Sequence, residues 1–458
     1  MSSVKRYIDS LIAAESNTLA RYFDYAVQLG RLPNDSGMLL GALDCKHKLE
    51  AREPEQIAAS VEVAQVAPGA AGLVLLNGTI NHSLDIEGLL SQLKPHLERQ
   101  SRVLLVAYNP YFDWLYRLAN VLGLRTGPLP CTFVTRTALE NIAALSGYQV
   151  VRTRFVAQCP FRLMGLGDLI NFLLPAIPFV RKLGLAAVVT LRPVMREETP
   201  TSVSVIIPVR NERGTLEAAL QRMPQLGTER LEVIFVEGHS SDGSWEELQR
   251  LLPLYQQRFK LSAYQQSGNG KSDAVRLGFA KATHDLLMVL DADLTMPPEL
   301  LSRYYQAYQS GLADFINGNR LLYPIQGQEM KFLNRLANVI FAKLLSYVLE
   351  VPLADSLCGT KVLARRDYQR LTRWREDFGD FDPFGDFELL FPAAVLGLGV
   401  IDIPIRYRER AYGSTNIRRF YHGWQLLRMA LLGLWRLRMG RVRVGETTHA
   451  QELSKKLR

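Results

Sequence analysis

Cysteine is scarce in this chain of 458 residues: there are four, at positions 45, 131, 159 and 358, with no CxxC pair and no Cys/His cluster. That spacing suggests neither a disulfide framework nor a thiolate zinc site, and it fits free thiols in a reducing compartment. Long apolar runs are also missing. The nearest candidates, 169–180 and 332–349, are too short or broken by polar side chains, so no membrane span is expected. The opening MSSVKRYIDSLIAAESN carries acidic residues and no long apolar core, which argues against a secretory signal and for a cytoplasmic protein. Acidic residues are nearly absent from 406 to 443, where ten arginines meet only Glu409.

The net charge of +9 favours anionic partners such as nucleotides or acidic lipid headgroups. The length exceeds what one hydrophobic core holds, and the polar, proline-bearing RPVMREETPTS at 192–202 separates two regions of alternating strands and helices. The expected division is 1–199, 200–405 and a basic amphipathic segment, 406–458, whose apolar helix near 424–437 has basic ends suited to an anionic membrane surface. A helix packed on its own domain with arginines in water is the plainer reading of that segment. Nucleic acid is not expected, because no recognition signature accompanies the charge.

In the first region, 72–76 and 102–107 read as buried strands and 86–98, 111–122 and 137–145 as helices, with an edge strand at 148–155. Before residue 60 no clean strand leads into a glycine-rich turn. The second region gives strands at 203–207, 231–236 and 286–290 alternating with helices, which implies a mostly parallel sheet with its ligand site beyond the carboxyl ends of the strands.

Asp291-Ala292-Asp293 stands at one such end, and two carboxylates one residue apart can hold Mg²⁺ or Mn²⁺ against a diphosphate. Asn211 and Glu212, at another end, offer both senses of hydrogen bond to a base or ribose, with an N-cap as the alternative. Glu237 ends the next strand. The turn SGNGKSD places Lys271 and two glycines before a helix, suited to phosphate or ribose, or forming a simple surface turn. It does not match a nucleotide-hydrolysing P-loop. Asp386 and Glu388 open an apolar helix, either as a capping pair or with Asp386 facing an acceptor as general base.

These residues carry a resemblance. From SVIIPVRNE through GNGKSDAVRLGFAKA, LMVLDADLTMPPE, FINGNR and DSLCGTKVLAR to RAYGSTN, residues 201 to about 440 resemble an inverting family 2 glycosyltransferase of GT-A fold, nearest to the dolichyl- or polyprenyl-phosphate sugar synthases. The resemblance implies nucleotide contacts at Pro208, Asn211, Glu212, Glu237 and Lys271 and a metal on Asp291 and Asp293. It also implies Arg320 beside the diphosphate, Asp355 and Gly359 beside the sugar, and acceptor contacts from Arg410, Asn416 and Arg418. Asn416 stands where such enzymes commonly have lysine, and Arg418 and Arg419 can compensate. Two acceptors fit, a polyprenyl phosphate that needs no strong base or a glycan hydroxyl that would use Asp386. A noncatalytic scaffold is the reading of another class. The first region, through LVLLNGTINHSLDIEGLLSQLKPHLERQSRVLLVAYNP and FVTRTALENIAALSGYQVV, resembles the later half of a class I methyltransferase. Its glycine-rich GxGxG turn is absent and GALDC at 41–45 is at best a remnant, so a degenerate accessory fold is expected, without S-adenosylmethionine.

Overall fold

A computed structural model describes residues 3–438 except 31, 33, 34, 36, 68, 124–127, 228, 229, 324–331, 379–384, 409, 411 and 413–418. The chain divides into two compact units, Met1–Val194 with Gly433–Arg458, and Met195–Leu432. Residues 406–432 thus cluster with the second unit, not with the remainder of the basic segment.

In the first unit, six strands are β1 (Tyr25–Leu29), β2 (His47–Ala51), β3 (Gly72–Asn77), β4 (Arg102–Tyr108), β5 (Tyr148–Val156) and β6 (Ala186–Pro193). They lie in the order β2-β1-β3-β4-β6-β5, all parallel except β6, which runs against both β4 and β5. The central strands LVLL and VLLV are buried on both faces, which is why they read as continuous apolar runs and not as alternation. The strand β1 was not expected. Its five residues YAVQL are too short for a period to stand out, and GALDC, expected as the remnant of its turn, instead ends a short helix, Met38–Ala42.

The second unit holds β7 (Val203–Val209), β8 (Glu232–Glu237), β9 (Lys260–Gln265), β10 (Leu286–Val289), β11 (Phe315–Asn319), β12 (Lys361–Ala364) and β13 (Val400–Pro404). The order is β13-β11-β12-β10-β7-β8-β9, with β12 alone reversed. Val205, Ile207, Val233, Phe235, Met288 and Val362 share one core with Tyr304 and Leu301 from the covering helix. Each such fully buried side chain contributes about 1.5–3 kcal/mol relative to exposure. The helix Gly270–Lys281 lies against β7 and β8, and Gly278 is what admits it: a Cβ there would come within 2.4 Å of the Ile206 side chain. Strand order changes direction between β7 and β10, so the loops after β7, β8 and β10 open into one crevice.

Candidate active site

The turn after β7 is locked to the turn after β8. Asn211 takes a positive φ of 57°, its amide donates to Ser240 Oγ at 2.9 Å, and its Oδ1 accepts from the Ser241 amide at 2.8 Å. The Glu212 amide donates to Ser244 Oγ (3.1 Å), and Asp242 receives the Arg213 amide (3.1 Å). Asn211 therefore shapes the turn with the acceptor atom that was a candidate for base contact. Glu237 is buried at the end of β8, where its carboxylate accepts from the Ser240 amide and from Gln265 Nε2. Pro208, half-buried, closes β7 just before the turn.

After β10 the two aspartates take different partners. Lys271, from the start of its helix, donates to Asp291 Oδ1. Asp293 Oδ1 accepts from the Thr295 amide (3.1 Å) and hydroxyl (2.7 Å), while Oδ2 accepts from Arg410 Nη2 at 2.9 Å. Arg410 spans to Glu212 through its other nitrogen, Nη1 to Oε1, at 2.8 Å. One guanidinium thus bridges the β7 and β10 loops. Burial works against charge on Asp291, but the neighbouring Lys271 ammonium outweighs it and holds the carboxyl below the usual range. Asp293 is pushed upward by burial and by the charge of Asp291. Burial likewise raises Glu212 to about 7, with Arg410 opposing.

Arg320, one residue past β11, is clamped by Asp355, which accepts from Nε at 2.7 Å, Nη2 at 2.9 Å and the backbone amide at 3.1 Å. The guanidinium also lies over the Tyr407 ring, 5.6 Å from its centroid. Asp355 is fully buried and engaged with Arg320 and the Leu357 amide, so it positions the arginine. Asp386 forms an ion pair with Lys361 (3.0 Å), and Glu388 is paired with Arg276. Asp386 makes no side-chain cap bond, so the helix start does not account for it. Asn416 and Arg418 lie outside the described residues.

Lys361 was missed in the sequence, as were Thr295, Tyr407 and the pairing of Arg276. A lysine that opens the apolar strand KVLA and ends fully buried, bonded to Asn317 Oδ1 (3.1 Å) as well as Asp386, was the available signal. Gly359 lies between the charged groups: a Cβ there would stand 2.1 Å from both Asp291 Oδ2 and Lys271 Nζ.

Residues 204–371 match the glycosyl transferase family 2 model. The second unit is a family 2 glycosyltransferase of α/β, GT-A type. It uses a nucleotide-sugar donor. The chain is 28% identical over 230 residues to a dolichyl-phosphate hexose transferase of Haloferax volcanii, covering 50% of this chain and 92% of the relative. It is 27% identical over 221 residues to a dolichol-phosphate mannosyltransferase of Pyrococcus furiosus, covering 47% of this chain and 59% of that relative. Among solved structures it is similar to the glucosyl-3-phosphoglycerate synthase of Mycobacterium tuberculosis, at 15% identity, 51% of this chain, 80% of the other and a TM-score of 0.37. In the glycosyltransferase unit the carboxylates Asp291, Asp293 and Glu212 and the cations Lys271 and Arg410 meet past the ends of β7 and β10.

Proposed function

We propose that the glycosyltransferase transfers a sugar from a nucleoside diphosphate sugar to the phosphate of a polyprenyl lipid at the inner membrane surface, inverting the anomeric centre in one displacement. The observation that carries this reading is the gathering of two carboxylates one residue apart, Asp291 and Asp293, with Lys271 and Arg410 bonded to them and the charge of Arg320 acting on Asp291, past the carboxyl end of β10. A leaving diphosphate needs such charge, and an acceptor phosphate needs a second cationic seat.

The residues fit a divalent ion. Burial and the charge of Asp291 disfavour ionised Asp293, the missing Cβ at Gly359 leaves room at Asp291 Oδ2, and among the described residues Glu212 Oε2 is buried without a partner. Among the described residues no cluster of three or more His, Cys, Asp or Glu side chains is placed to hold a metal, so the diphosphate would complete the coordination of Mg²⁺ or Mn²⁺. A cation held by Asp291 and Asp293 supplies charge neutralisation for the leaving group. The protein's own groups do the rest. Lys271 and Arg320 face the departing oxygens, Asp355 keeps Arg320 in place, and the turn from Pro208 to Glu212, with Glu237, frames the nucleoside. Arg410, freed from Asp293 and Glu212 when the donor enters, turns to the acceptor phosphate. The relatives in Haloferax and Pyrococcus, named for dolichyl-phosphate acceptors, support this acceptor. So does the basic segment past residue 406, for which Asn416 and Arg418 are proposed phosphate contacts.

A glycan hydroxyl is the second reading, favoured by Asp386: it is a carboxylate of the same unit, ion-paired with Lys361, that the helix start does not account for. Transfer assays with a panel of nucleotide sugars, Mg²⁺ or Mn²⁺, and short polyprenyl phosphate or glycan decide between them. Product formed only with the lipid phosphate, and retained in Asp386→Asn, supports the first reading; product only with glycan, lost in Asp386→Asn, replaces it.

For the first unit we propose a methyltransferase-type fold kept as an accessory. The strand order with one reversed strand between β4 and β5 supports this reading. Among the described residues past β1, Asp35 supports the absence of S-adenosylmethionine. Asp35 accepts there from Gln28, from Asn77 Nδ2 at 3.0 Å and from the Gly37 amide at 2.9 Å, so its oxygens are engaged within the protein.

A further inference from the structure

We propose that the first unit carries a surface that seats in the headgroup layer of an anionic lipid bilayer, formed by residues 157–185 between β5 and β6. Its core is an inside-out helix. In Leu166–Leu173 the buried positions are Gly167 and Asn171, whereas Leu166, Leu169 and Leu173 are exposed. Those leucines fall at i, i+3 and i+7, hence on one helix face. Water does not select that orientation, since a helix on an aqueous surface normally turns its apolar stripe inward.

The orientation is held by specific bonds. Asn171 Oδ1 accepts from the Cys159 amide at 2.9 Å, and its Nδ2 donates to the Cys159 carbonyl at 2.8 Å and to the Tyr7 hydroxyl at 3.1 Å. Tyr7 in turn donates to Asp168 Oδ1 at 2.7 Å. Rotating the helix to hide its leucines would break this set. The flanking turns display apolar side chains as well. Met164 is fully exposed and Phe179 is 86% exposed. Both sit at positive φ, 54° and 70°, a backbone region such residues rarely adopt.

The polypeptide cannot slide away from this edge. Asn109 Nδ2, just past β4, donates to the carbonyls of Lys182 (2.9 Å) and Gly184 (2.7 Å). The helix that follows, Asp113–Val121, is tied to the same edge, its Tyr116 hydroxyl donating to the Leu185 carbonyl. Charge selects the occupant. Residues 157–185 contain exposed Arg162, over the Tyr7 ring, exposed Lys182 and half-buried Arg181 against one acid, Asp168. A second copy docked face to face would oppose like charges, whereas anionic headgroups meet them, and an eight-residue helix is long enough to lie in the interface but not to cross it. The lipid-acceptor reading above gives this surface a purpose, but its geometry stands without that reading.

The test is flotation of the full chain with vesicles of phosphatidylcholine, with and without phosphatidylglycerol, comparing wild type with Met164→Glu/Phe179→Glu and with Arg428→Gln/Arg436→Gln. Both substituted apolar side chains project from the surface, and circular dichroism confirms that the fold is kept. The expected result is binding to anionic vesicles that falls about tenfold or more in the Met164/Phe179 variant, with transfer to a water-soluble short-chain prenyl phosphate unchanged. Equal flotation of that variant and wild type overturns the proposal, as does loss only in the Arg428/Arg436 variant. Wild type that stays off anionic vesicles overturns it too, and a dimer in sedimentation that the Met164/Phe179 variant dissolves makes the surface a protein interface instead. If no prenyl phosphate is glycosylated but vesicle binding still depends on Met164 and Phe179, the acceptor reading fails and this one stands.

Discussion

Asp291 and Asp293 are nearly interchangeable in the sequence and quite different in place. One is neutralised by a lysine on the same side of the crevice, the other is bridged by an arginine from beyond β13. Replacing Asp293 with asparagine is expected to lower turnover by about a hundredfold or more, the scale of losing a principal charge-stabilising group, with the fold intact by circular dichroism. Initial rates across a metal titration would show it. The Arg320–Asp355 pair is a separate case, because it is buried and fully bonded. Asp355→Ala leaves a buried guanidinium without its partner and should cost about 3–5 kcal/mol of stability, measured by urea unfolding. Glu212 makes stability depend on pH. Its carboxyl lies near 7 in the fold against an ordinary 4.5, so the folded state holds the extra proton between those values. Stability therefore falls as pH rises through that window. Without metal, wild type should lose about 2 kcal/mol more stability between about pH 5.5 and about pH 7.5 than Glu212→Gln does, measured by urea unfolding.

At the scale of elements, two glycines test different things. Gly278 is the contact between its helix and β7, and Gly278→Val forces side chains into the space of Ile206. Such overpacking should destabilise by about 1–3 kcal/mol. Gly359 follows Cys358 on the approach to β12, and the atoms a Cβ there would meet first are the side-chain ends of Lys271 and Asp291. Gly359→Ala is expected to leave the melting temperature near wild type while lowering kcat/KM, because the displaced groups are the charged ones. The strands β7, β8 and β10 were legible because each is a run of Val, Ile and Leu ending in polar residues. Strand β1 was not, being short and followed by residues with no punctuating glycine pattern.

For the whole molecule, two units with separate cores predict two unfolding transitions in calorimetry. Nucleoside diphosphate with Mg²⁺ at about a hundred times its Kd should stabilise the second by about 2.7 kcal/mol and leave the first unmoved. A single transition that moves as one would show instead that the units unfold together. Among the described residues no helix is long and apolar enough to cross a membrane. The apolar segment at 169–180, too short for a span, has another account in the first unit's exposed surface.

The sequence by itself determined three strands of the second unit, β7, β8 and β10, the helices between them and the residues that end them, because apolar periodicity and strand-end chemistry are local properties. It carried the DxD pair, the Asn211–Glu212 turn and Lys271 for the same reason. What only the tertiary structure decided is who pairs with whom. Arg410 reaching Glu212 and Asp293, Asp355 holding Arg320, and Lys361 meeting Asp386 join positions 25 to 198 residues apart. Such contacts depend on strand order and burial, which no local pattern specifies. The outward face of Leu166–Leu173 belongs to the same class: its spacing reads as an ordinary buried stripe until Tyr7 and Cys159 fix the opposite side.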